Sequence, residues 1–172
     1  MRWSEFLGVP HISTGDLFRE HVETGSRLGL RADRYMQAGE LVPDHITKAM
    51  VRDRMRSPDT ERGFILDGYP RTRTQAVVLD AMLDQLGRQM VAAAYIRVSD
   101  ATLMARLAVR GRDDDNARTI RNRLRTFHRY NAPLIDYYRE RGLLEEIDGE
   151  GTPDEVTDRA AAAWQKLQSR SG

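Results

Sequence analysis

In the stretch "RGFILDGYPRTRTQ", residues 62 to 75, a short apolar run, Phe64-Ile65-Leu66, leads directly into Asp67, with Gly68, Pro70 and Arg71 close behind. In an open α/β sheet, ligands bind at the carboxyl ends of the strands. An aspartate placed there can hold a magnesium ion through water, and an arginine can grip a phosphate with two parallel hydrogen bonds. The same residues also suit an Asp-Gly turn stiffened by Pro70, with Arg71 in solvent.

A second cluster, "HISTGDLFR" at 11 to 19, carries Ser13, Thr14 and Asp16, the residue types that cap a helix start. The same geometry could receive an anion, with Gly15 letting a ligand near the backbone and Arg19 meeting it on the first turn. In a third segment, "RLAVRGRDDDNARTIRNR" at 106 to 123, Arg106 and Arg110 share a helix face, Arg112 follows, and Arg118, Arg121 and Arg123 return on the next helix. This segment reads either as a solvated charged hairpin or as arginine fingers folding over a polyphosphate.

An alternation of helical and extended segments must position these groups, which predicts an α/β fold with a mainly parallel sheet. Helices are expected over 2–8, from about 16 to 23, between Gly25 and Gly39, over 44–56, 73–86 and 99–110, and from Thr152 and Pro153 onward. A long helical stretch at 117–140 should be interrupted by Pro133. The expected strands are "HIS", "GFILD", "VAAAYIRV" and "LLEEID". The 172 residues read as one domain with two excursions, 16–57 and 111–116.

Basic and acidic residues number 27 and 26, so whole-molecule charge argues for neither nucleic acid nor membrane as a partner. Among the basic residues only Lys48 and Lys166 are lysines; arginine's planar fork suits phosphate and carboxylate oxygens. No cysteine is present, which excludes disulfides and zinc–thiolate sites. The longest apolar run, "VAAAYI", cannot span a bilayer, and the start lacks a signal-peptide pattern, so a cytoplasmic location is expected.

Together and in this order, "ISTGDLFR", "GELVPD", "GFILDGYPRTRTQ", "RGRDDDN" and "NAPLIDYY" resemble the adenylate kinases, within the nucleoside monophosphate kinases. That resemblance implies a P-loop-kinase-like three-layer fold, a parallel sheet wrapped by helices, with a nucleotide-monophosphate excursion at 16–57 and a short lid at 111–116. It implies ATP, AMP and ADP as ligands, with Mg2+ accompanying ATP. Thr14, Arg19, Leu41, Val42, Gly68, Arg71 and Gln75 are similar to AMP contacts. Thr14 and Gln75 resemble the AMP-selecting version, since UMP/CMP kinases usually carry "SAGD". Arg106, Arg110, Arg112 and Arg123 resemble arginines around the transferred phosphate and ATP, with Asp114 and Asp115 as lid acids that position them. Asp67 resembles the carboxylate that acts on magnesium through water.

The chain departs from that family in one respect. No G-x-x-x-x-G-K-[ST] phosphate loop occurs, and neither lysine follows a glycine. "MRWSEFLGVP" resembles the end of the helix that follows such a loop, so the chain is expected to start roughly twenty residues late, without its first strand. A late start or shortening, a remnant that binds AMP without catalysis, and a dimer that exchanges elements all fit this expectation, the last as the alternative to a monomer. Weak or absent phosphoryl transfer is expected.

Overall fold

The computed structural model describes residues 2–110 and 116–171. Helix α1 (Arg2–Leu7) leads through Gly8 to β1 (His11–Ser13) and α2 (Thr14–Glu23). Helix α2 starts two residues before the expected Asp16, because Ser13 is its cap and accepts from the Asp16 amide at 3.3 Å. Helices α3 (Arg27–Ala38) and α4 (Asp44–Met55) complete the first excursion. A 3₁₀ turn (Pro58–Thr60) then leads to β2 (Ile65–Asp67), α5 (Arg73–Gln85), β3 (Ala93–Arg97) and α6 (Asp100–Arg110). Helix α7 (Ala117–Arg139), β4 (Leu144–Asp148) and α8 (Pro153–Ser171) close the chain.

Pro133 does not interrupt α7. It lies on the exposed side, as does Arg129 one turn earlier, so the carbonyl that loses its intrahelical donor can turn to water. At the start of α8, Thr152 and Glu155 close a capping box. The Thr152 amide donates to Glu155 Oε2 at 2.7 Å, and the Glu155 amide donates to Thr152 Oγ1 at 3.3 Å.

The strands form two parallel ladders. β1 pairs with β2 in the register His11–Ile65, Ile12–Leu66 and Ser13–Asp67. β3 pairs with β4 from Ala93–Leu144 to Arg97–Asp148. Among the described residues no ladder joins the two pairs, so the single expected sheet is realised as two. Parallel strands need crossover connections, here the helical segments 14–64 and 98–143.

Ile12, Val51, Met55, Tyr69, Leu79, Met82 and Leu83 form a buried cluster that holds β1 against α4 and α5. A second cluster, Phe18, Ala32, Val42, Ile46 and Met50, binds the three helices of the first excursion to one another. Helices α2 and α3 approach closely at Gly29, where a Cβ would lie 2.0 Å from the His21 carbonyl oxygen.

Candidate functional site

The β1–β2 register puts Ser13 beside Asp67, so the two strands release Thr14 and Gly68 side by side. Thr14 is buried and its hydroxyl donates to the Asp67 carbonyl at 3.2 Å. Gly68 has φ +76°, and a Cβ there would sit 2.6 Å from Thr14 Oγ1, so only glycine permits this approach. The turn brings Arg71 back on itself: its Nε donates to the Gly68 carbonyl at 2.8 Å, and its backbone amide donates to Gln75 Oε1 at 2.7 Å. Thr72 caps α5 by accepting from the Gln75 amide, which fixes Gln75 on the first turn.

These groups open into one cleft of about 570 Å³. Thr14, Arg19, Leu41, Val42, Asp67, Gly68, Arg71, Gln75, Arg110 and Arg123 all line it. The volume suits a small organic ligand. Apolar side chains also line the cleft, with Tyr95 and Ile96 from β3, Val98 just beyond it, Leu103 from α6, and Phe127 and Leu134 from α7. Both ladders thus border the same cavity.

Arg71 meets solvent along the cleft and is packed by protein on its other sides. That desolvation pulls its pKa below the ordinary arginine value; the Asp67 carboxylate opposes the shift and the Arg123 guanidinium adds to it. Two cations within each other's field in a partly desolvated cleft favour an anion between them. Arg19 bonds Asp16, and its guanidinium lies against Gly15, 3.2 Å from where a Cβ would be. Gly15 thus leaves room for the Arg19 guanidinium, and it also lines the cleft.

Helix α7 holds the end of α3 through its side chains. Thr119 Oγ1 donates to the Gln37 carbonyl at 2.7 Å and Asn122 Nδ2 to the Ala38 carbonyl at 3.1 Å. These bonds cap carbonyls that the helix cannot satisfy itself, and they carry Arg123 to the cleft wall beside Met36 and Gly39.

Arg106 lies outside this lining. Its guanidinium donates to the Gly149 and Gly151 carbonyls at 2.9 and 2.7 Å, tying α6 to the β4–α8 connection. Glu150 in that connection accepts from the Ser99 amide and the Thr102 hydroxyl, both at 2.7 Å. These bonds, the Ser99 amide first, hold the Glu150 carboxyl below the usual carboxylate range. A depressed folded-state pKa gives stability that is present above the unfolded value and lost as pH falls through the folded one. Glu150→Gln is expected to shrink the loss of melting temperature between about pH 7 and about pH 3, measured by thermal melts of both proteins. Arg112, Asp114 and Asp115, with residues 111–115 of the expected lid, lie outside the described residues.

Asp67 is exposed at the end of β2, and its Oδ2 lies 3.3 Å from His11 Nε2. His11 carries no site motif of its own in the sequence; its place in β1, two residues before Ser13, which adjoins Asp67, is the signal. Asp44 was also missed. Its Oδ1 accepts from Gln75 Nε2 at 2.7 Å and so joins the first excursion to α5. Among the described residues no group of three or more acidic or histidine side chains could cage a metal. A single carboxylate beside a cleft lined by arginines still fits Mg2+, which keeps its waters and takes the rest of its ligands from substrate phosphates.

Fold and cleft together define a class: an α/β protein whose parallel strand ends deliver arginines and a carboxylate to a ligand cavity. Residues 2–143 match the family model described as "Adenylate kinase". The chain is 48% identical over 163 residues to an adenylate kinase from Mycolicibacterium paratuberculosis, covering 95% of this chain and 89% of that one. It is 46% identical over 166 residues to one from Mycobacterium tuberculosis, with 96% and 91% covered. It is 47% identical over 169 residues to one from Thermobifida fusca, with 96% and 88% covered. The chain belongs to the adenylate kinase family, whose members are phosphotransferases that convert AMP and ATP to two ADP.

Proposed function

We propose that the cleft is the AMP site of this chain and that the family's reaction is weak in the 172 residues taken by themselves. The observation that carries the first part is the convergence of Arg71, Arg123 and the Gln75 amide on one cavity. The phosphate lies between Arg71, Arg123 and Arg19, with the base between Leu41, Val42, Gly68 and the Gln75 amide. Thr14 holds the strand-end turn from beneath. Arg110 approaches the transferred phosphoryl group, and Arg106 is a reserve cation whose present partners are carbonyls.

Phosphoryl transfer depends on aligning two anionic substrates and neutralising their charge while water is excluded. Asp67 would hold Mg2+ through water, and the ion would supply charge neutralisation on the ATP phosphates when bound. His11 Nε2 lies 3.3 Å from the Asp67 carboxylate. No G-x-x-x-x-G-K-[ST] segment stands in the 172 residues, so they do not themselves supply the phosphate loop whose backbone amides would cradle the ATP phosphates. AMP binding therefore outlives turnover in this chain.

The test is ADP formation from ATP, AMP and Mg2+ by the 172-residue chain, with Arg71→Ala purified alongside to expose host kinase. Activity no higher than that control is expected. Turnover well above it would mean that another group cradles the ATP phosphates and would overturn the second part of the proposal.

A further inference from the structure

The Gln75 amide is held at both ends by groups that admit only one polarity. Its Oε1 accepts from the Arg71 backbone amide, and its Nε2 donates to the Asp44 carboxylate, each at 2.7 Å. A backbone N–H can only donate and an ionised carboxylate can only accept, so these partners dictate which end of the amide is which. Turning it over would set two donors face to face at Arg71 and two acceptors face to face at Asp44. In a buried side chain that loss is expensive, and Gln75 is only 4% exposed.

An amide nitrogen carries two hydrogens and an amide oxygen two lone pairs, so each end keeps one position for a ligand. Gln75 therefore presents a donor and an acceptor in a fixed order. A 6-aminopurine offers an acceptor at N1 and a donor at its amino group. A 6-oxopurine offers the reverse, a donor at N1 and an acceptor at O6, and would need the amide turned over.

We infer that Asp44 is a specificity-determining residue, which makes the cleft read 6-aminopurine monophosphates against 6-oxopurine ones by locking the polarity of Gln75. This rests on the AMP reading of the cleft. Asp44 acts through Gln75 and is a positioning residue. It stands on the first turn of α4, thirty-one residues from Gln75 in sequence, so the first excursion supplies half of the lock.

The experiment compares AMP with inosine monophosphate, which differs from it only at the 6-position and N1. Both are titrated calorimetrically into the unaltered chain, Asp44→Asn and Asp44→Ala. Asparagine keeps the size of aspartate and can donate or accept, so it releases the Asp44 half of the lock without emptying the site, while the Arg71 amide keeps its half; alanine removes the Asp44 partner altogether. The unaltered chain is expected to bind inosine monophosphate at least about tenfold more weakly than AMP, the scale of a mismatched bidentate base contact. Both variants are expected to narrow that ratio severalfold, mainly by gaining affinity for inosine monophosphate. A purely structural role would weaken both nucleotides alike and leave the ratio unchanged, which would overturn the inference while leaving the AMP site standing. Equal affinities in the unaltered chain would overturn it too. Failure of AMP to saturate that chain would instead overturn the AMP reading, and this inference with it.

Discussion

Arg71→Ala is expected to weaken AMP binding by at least about a hundredfold, because a guanidinium that forks onto a phosphate makes two charge-assisted hydrogen bonds of about 1.5–3 kcal/mol each. Arg71 is set for that role before any ligand arrives. Its Nε is bound to the Gly68 carbonyl, and its backbone is held by Gln75, which leaves the outer nitrogens of the fork for an anion. Desolvation is the largest influence on the guanidinium and disfavours the cation, the Asp67 carboxylate favours it, and the Arg123 charge opposes it more weakly. A bound phosphate offsets the desolvation. Arg71→Lys keeps the charge and loses the fork, and should retain an intermediate affinity. Calorimetric titration of the three proteins with AMP checks the order; an Arg71→Ala affinity within a few-fold of the unaltered chain would remove Arg71 from the site.

Gly68→Val is expected to destabilise the fold by about 3 kcal/mol, since a β-branched residue at positive φ is a true outlier and each such strain costs about 1–3 kcal/mol. The clash adds to the strain. Gly68 has φ +76°, and its Cβ would lie 2.6 Å from Thr14 Oγ1, itself buried and bonded to the Asp67 carbonyl. Relief would require parting β1 from β2 at the tips that deliver Thr14 and Arg71. Urea denaturation would show a lower midpoint with an unchanged slope, and AMP affinity should fall along with it. Gly68→Ala should show the same direction at smaller size. A midpoint equal to that of the unaltered chain would mean the turn is not built as described.

What the sequence made legible and what it hid divide along one physical line. Asp67 and Arg71 could be placed at a strand tip because the evidence is local: an apolar run, then a turn residue, then charge. Gly25 and Gly39 could be read as helix ends for the same reason, and Gly39 does take the left-handed conformation at the end of α3. Pairing between distant segments left no such mark. The division of the strands into two ladders depends on non-local register, which short apolar runs do not encode. The Asp44–Gln75 and His11–Asp67 contacts are likewise tertiary, joining segments separated by a helix or more. Arg106 shows the limit of helical spacing as a guide: it shares a face with Arg110, yet carbonyls at 149 and 151 draw it away from the cleft wall that Arg110 lines. Pro133 was judged by its missing donor alone, whereas its exposed position decides the outcome.

The central claim, that this cleft is a site for AMP, is tested most directly by calorimetric titration of the 172-residue chain with AMP and, separately, with UMP. One saturable site per chain, with UMP at least about tenfold weaker, is the result the site geometry predicts. No saturation by AMP, or equal binding of the two nucleotides, would contradict it.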